Sequence, residues 1–135
     1  MRPTAVTIVA AALLWGGVVA AQDQGVRTVA SVREIMLEMV VPSSDAVFNV
    51  AIEAPGDDAS WATLAAQTRV LAESGNLLML GDRDRGDEAW TAMARAQVDA
   101  AVVTLEAIDA RDVDAVIAAG DVVYEACATC HDRFM

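Results

Sequence analysis

The sequence predicts an all-α chain, an antiparallel four-helix bundle, from three observations. Apolar residues recur at three- and four-residue steps over four long stretches. The connections between those stretches are short and rich in Pro, Gly, Ser and Asp. No segment carries a β-hairpin signal, and aromatic residues make up only 4% of the chain. Helices of this length joined by short loops bury their apolar faces best against one another.

Residues 1–21 come first and read as a secretory leader. Arg2 provides a short positive start, Ala5 to Val19 an apolar run, and Val19-Ala20-Ala21 a small-residue cleavage site. That run is shorter than the about 20 residues of a comfortable membrane span. The expected product is exported, periplasmic, and a single domain over residues 22–135.

The first helix is expected over about 26–41, with Val29, Val32, Met36, Met39 and Val40 on one stripe. Pro42 should stop it, and Ser43-Ser44-Asp45 can cap a short continuation to Ile52. Pro55-Gly56 marks a loop. Asp57, Asp58 or Ser60 can start the second helix, whose stripe is Trp61, Leu64, Thr68, Leu71, Gly75 and Leu78. Residues 81–86 form a charged loop between two glycines. The third helix, about 87–108, carries Trp90, Ala94, Gln97, Ala101, Leu105 and Ile108 on one side. After a tight turn at 109–112, the fourth should face inward with Val113, Val116, Ile117, Gly120, Val123, Tyr124, Cys127 and His131.

Near the end of that helix stands Cys127-Ala128-Thr129-Cys130-His131, the attachment signature of a c-type haem. Each cysteine adds across a haem vinyl group to form a thioether, and the histidine supplies an axial nitrogen. The spacing puts both sulfurs on one helical face. The chain has two Cys and one His, all within these five residues. A structural zinc would need a fourth ligand of the usual Cys or His kind, and none remains. A redox Cys-x-x-Cys expects a βαβ context, which is absent. Leader and motif agree, because covalent haem attachment in bacteria takes place outside the cytoplasm.

A haem motif on the last helix of an exported helical chain of this size resembles the class II cytochromes c, cytochrome c′ and its low-spin relatives. The resemblance spans the mature chain in architecture, while residue matches are few. Cys127 and Cys130 match the covalent tethers and His131 the proximal ligand of one haem c. Phe134 matches an aromatic often found three residues past the histidine. Arg33 looks like the first-helix arginine that lies close to a haem propionate. The basic residue common four positions after the histidine is here Met135, with Arg133 displaced by two.

The family has two branches, and the resemblance implies one of them. Six-coordinate members take a methionine from the first helix and carry electrons; Met36 is the candidate here and Met39 the second. Thioether ligation raises the reduction potential and closes the sixth position. Five-coordinate members leave that position open behind an apolar shield, for which Leu37 is the candidate, and bind small gases such as NO or CO. Tyr124, one turn before Cys127, should pack beside the porphyrin. Met79 and Met93, on other helices, read as core filling.

Net charge at pH 7 is −11, all nine basic residues being arginine, and loss of Arg2 with the leader makes it more negative. Such a surface disfavours nucleic acid and anionic membranes and suits redox partners with basic patches. No phosphate-binding loop, histidine cluster or hydrolytic triad exists, so an acid/base enzyme is not expected. Monomer and homodimer both remain open.

Overall fold

The computed structural model describes residues 26–135, which excludes the leader assigned to residues 1–21. These residues form four long helices with no strand among them, as a four-helix bundle requires. Helix α1 is continuous but built of three pieces: α-helical Val32–Ile35, a π-helical turn Met36–Val40, and α-helical Val41–Phe48. A 3-10 turn, Asn49–Ala51, follows. Helix α2 is Asp58–Leu78, α3 is Glu88–Asp109 and α4 is Val113–Phe134.

Each start has a chemical reason. Ser31 and Glu34 form a capping box, in which the Ser31 hydroxyl accepts the Glu34 N–H while the Glu34 carboxylate accepts the Ser31 N–H at 2.8 Å. Asp57 and Ser60 repeat the device at α2. Asp87 accepts the Ala89 N–H and Asp112 the Ala115 N–H, so all four helices begin on a side-chain oxygen.

Two expectations about α1 are corrected. The capping box starts the helix at Val32, not Val26, and leaves Val29 outside it with 85% of its surface exposed. Pro42 does not stop the helix. Its ring would clash with the carbonyl of Glu38 in an unbroken α-helix, and it has no N–H to give. The π turn before it widens the spiral, and the Val41 N–H reaches back to the Met36 carbonyl. Ser43 donates to the Met39 and Val40 carbonyls at 2.6 and 3.1 Å, and Ser44 to Val41 at 3.1 Å. The chain thus stays helical across the proline with its carbonyls satisfied.

Helices α2 and α3 lie side by side. Trp90 donates its indole N–H to the Leu78 carbonyl at 2.9 Å at one end of the pair, and Gln97 donates to Leu71 and Ser74 at 3.0 Å in the middle. Asp58 meets Arg111 at 2.7 Å at the other end. Close approach depends on Gly75: a Cβ there would stand 2.7 Å from a Val98 methyl and 3.1 Å from the Ala94 carbonyl. Gly120 on α4 is different, since its Cβ would meet Val47 and Phe48 of α1 at ordinary distances of 3.6 and 3.7 Å. Ile35, Val47, Leu71, Ala101, Val116 and Val123 are wholly buried between the helices.

The inner face of α4 is narrower than the periodicity implied. Val116, Ala119, Gly120 and Val123 are buried, while His131 in the last turn is exposed at the rim, and Ile117 and Tyr124 lie on the exposed side. Those two sit about 80–100° round the helix from Val116, beyond the edge of its contact with α1 and α3.

Candidate functional site

The last turns of α4 carry Cys127, Cys130 and His131 at i, i+3 and i+4, so one helical face presents two sulfurs and an imidazole. Opposite them α1 contributes Met36 and Val40, α2 contributes Leu78, and α3 contributes Met93, Ala94 and Gln97. Together with Ala126 these residues enclose a small cavity of about 20 Å³, room for about one water molecule. Its wall is apolar apart from the Gln97 amide, whose nitrogen is engaged with Leu71 and Ser74, and the three donors of α4.

Both thiols are half-buried, and that burial pushes their pKa up. At Cys127 the neighbouring Cys130 adds to the rise, whereas at Cys130 the Arg85 guanidinium opposes it. Both sulfurs therefore stay as neutral thiols at neutral pH, the form that packs in apolar surroundings. The guanidinium of Arg85 is held over two rings, 4.5 Å from the Trp90 centroid and 5.4 Å from that of Phe134. Trp90 and Phe134 meet edge to face at 5.2 Å, and Arg133 covers Phe134 at 5.5 Å. Phe134 is four residues past Cys130, so this aromatic corner lies on the same side of α4 as that cysteine, one turn further on.

A buried cation, Arg83, ties down the chain beside it. Arg83 is 7% exposed; its Nε–H donates to Leu77 at 2.7 Å and its Nη1–H to Ala30 at 3.1 Å. It satisfies a last-turn carbonyl of α2 and pins the segment that leads into α1.

Of the residues singled out by sequence, the fold brings Met36, Cys127, Cys130 and His131 to one cavity. Met39 is partly buried and packs on the core without lining it. Leu37 points outward with 52% of its surface exposed, Tyr124 with 60%, and Arg33 is exposed on the first turn of α1. Met93, read from the sequence as core filling, lines the same cavity as the Cys-x-x-Cys-His residues. Its signal was present, since it follows Trp90 and precedes Gln97 on the same helical stripe. Arg83 and Arg85 had no such signal, because loop residues follow no helical period.

A larger open groove of about 710 Å³ lies between the end of α1 and the start of α2, lined by Val50, Ile52, Pro55 and Leu64 among others. No thiol, imidazole or thioether faces it. Among the described residues no three His, Cys, Asp or Glu side chains are grouped to hold a bare metal ion. None of the described helices is long and apolar enough to cross a membrane. Comparison with family models, with curated proteins and with solved structures found no match.

Proposed function

We propose that this chain is a periplasmic one-electron carrier, a monohaem c-type cytochrome of the class II kind, with its haem held at the cavity end of an antiparallel four-helix bundle. One observation carries the reading: the Cys-x-x-Cys-His triplet of α4 shares a single apolar cavity with a thioether from α1.

The donor chemistry fits the group. Two neutral thiols on one helical face are the residues that would hold a porphyrin by thioether links, the adjacent imidazole the one that would bind iron from the same side. Met36 supplies a soft, uncharged sulfur across the cavity from α4. The present cavity is far smaller than a macrocycle, so admitting one requires α1 and α3 to give way. Met36 and Met93 suit that demand, being unbranched and able to repack. When bound, the haem supplies a metal centre that cycles between two oxidation states by one electron.

The remaining work belongs to the chain. Val40, Leu78, Ala94 and Ala126 line the cavity with apolar surface that would keep water from a bound haem and favour its less charged, reduced form. Met36 is the residue that would offer a sixth, thioether donor to a bound haem and so would keep out an exogenous ligand. Trp90, Phe134 and Arg85 pack together at the last turn of α4, next to Cys130, and hold that turn against α3. His131 and the end of α4 are exposed, so that edge lies near solvent, where a partner protein can approach. The outward direction of Leu37 weighs against an open, gas-binding site shielded by that residue.

Absorption spectra of the haem-loaded protein, oxidised and reduced, with and without carbon monoxide, test the reading. The wild type should be low-spin, show an iron–thioether charge-transfer band and ignore carbon monoxide. Met36→Leu should become high-spin and bind the gas, while Met39→Leu and Met93→Leu should not. A wild type that is already high-spin and binds carbon monoxide would make this a gas-binding cytochrome c′. Purified protein without covalent haem overturns both.

A further inference from the structure

The π turn of α1 lies at the cavity, since Met36 opens it and Val40 closes it, and both line the space. A π turn accommodates one residue more than the α-helix it interrupts. With the C-terminal part of α1 fixed by Val47 and Val50 in the core, every residue before the turn is displaced by one place along the spiral. One place is about 100° of rotation. If the turn closed to α geometry, Leu37 would occupy the position Met36 now holds, and Met36 that of buried Ile35. The two registers present different side chains to Cys127, Cys130 and His131: a thioether in one, an isobutyl group in the other.

Three features favour the π register. Pro42 cannot donate to the Glu38 carbonyl, and its ring would collide with that carbonyl in an α-helix. The Ser43 hydroxyl takes the Met39 and Val40 carbonyls at 2.6 and 3.1 Å, so the widened turn leaves neither stranded. Ser43 is itself wholly buried, so its hydroxyl is held to these partners.

We propose that Pro42 and Ser43 are positioning residues that hold α1 one place out of α register, so that the Met36 sulfur and not the Leu37 side chain faces the Cys127–Cys130–His131 cavity. The consequence for iron ligation rests on the haem reading above; the consequence for side-chain direction does not.

The test is a register rescue in the full chain, haem-free for the first readout and haem-loaded for the second. Pro42→Ala/Ser43→Ala allows the turn to close, and deletion of Glu38 from that variant removes the extra residue, returning Met36 to its place in an ordinary α-helix. In the haem-free chain, nuclear Overhauser contacts between the Met36 methyl and the Met93 and Cys127 side chains are the first readout. They should be present in wild type, lost in the double variant in favour of Leu37 methyl contacts, and restored by the deletion. The iron–thioether band is the second readout and should follow the same pattern. Unchanged Met36 contacts in the double variant overturn the proposal, as does failure of the deletion to restore them. If the double variant does not fold, Pro42→Ala alone is read in the same way. Contacts that switch as expected while no variant, wild type included, shows the band uphold the register device and refute Met36 as the ligand.

Discussion

Replacing Trp90 by phenylalanine tests how the ends of α2, α3 and α4 are held together beside Cys130. The indole N–H caps the Leu78 carbonyl at 2.9 Å, one of the carbonyls that a helix end leaves without an intrahelical partner. Phenylalanine keeps the edge-to-face contact with Phe134 but strands that carbonyl in a buried place, a cost of about 1–3 kcal/mol. The smaller ring also weakens the hold on Arg85, whose stacking at 4.5 Å is worth about 0.5–1 kcal/mol at an exposed cation. The expected loss is about 2–4 kcal/mol. In urea, with a slope of about 2 kcal/mol/M for a domain of this size, the midpoint should fall by about 1–2 M with the slope unchanged. Arg85→Gln should then cost less in the Trp90→Phe background than in wild type, because the two share a contact. A midpoint within about 0.2 M of wild type would show that the capped carbonyl finds another partner, and the account of this corner would fail.

Other perturbations separate the roles of particular residues. Gly75→Ala gains helix propensity of about 1 kcal/mol but drives a methyl against Val98 and the Ala94 carbonyl, so it should destabilise by about 1–2 kcal/mol net; Gly120→Ala meets no such obstacle and should raise stability by up to about 1 kcal/mol, both read by denaturant titration. Arg83→Met removes donors from two carbonyls and should cost about 2–3 kcal/mol, with faster amide exchange at 31–33 than elsewhere in α1. Glu34 is held below the ordinary carboxylate range first by the Ser31 hydroxyl and then by its N–H, and Asp57 by the Ser60 N–H and then its hydroxyl. Their folded pKa values are depressed, so their support is complete above the ordinary carboxylate range and is lost as pH falls through the depressed values. Glu34→Gln and Asp57→Asn should therefore lower stability at neutral pH, leave it nearly unmoved below the depressed values, and so flatten the acid limb of a stability–pH profile. A limb of unchanged steepness in both variants would refute the linkage.

The parts of the fold that depend on local pattern could be read from the sequence. The stripes of α2 and α3 are buried as their spacing implied, Thr68, Gly75 and Gln97 included and Leu105 only in part, because an uninterrupted helix carries its period faithfully from one end to the other. The helix starts at Asp57 and Asp112 were visible because a capping side chain lies next to the backbone it serves. The cluster of Cys127, Cys130 and His131 was visible for the same reason, since all three share a turn and a half of one helix. Arg83 and Arg85 were not, because their partners at Ala30, Trp90 and Phe134 are brought to them only by the packed bundle.

Helix α1 shows why periodicity fails where it fails. Counting in threes and fours assumes that each residue advances the spiral by the same angle, and a π turn breaks that assumption without leaving a gap in the count. Met36 is inward on either count, but for different reasons: in pure α register it would stand where Ile35 is now, deep in the core and away from the cavity wall it lines. The proline read as a terminator is compatible with the turn that puts the sulfur at the cavity, and the serines read as a new cap satisfy the carbonyls the turn loosens. Local signals at 42–44 were therefore correctly identified as a break in α geometry and wrongly taken as a break in the helix. The distinction rests on whether the chain after the break still has a face to bury. Here it does, because Val47 and Val50 are nearly inaccessible, and an element with core to cover on both sides of a defect bends or widens sooner than it ends.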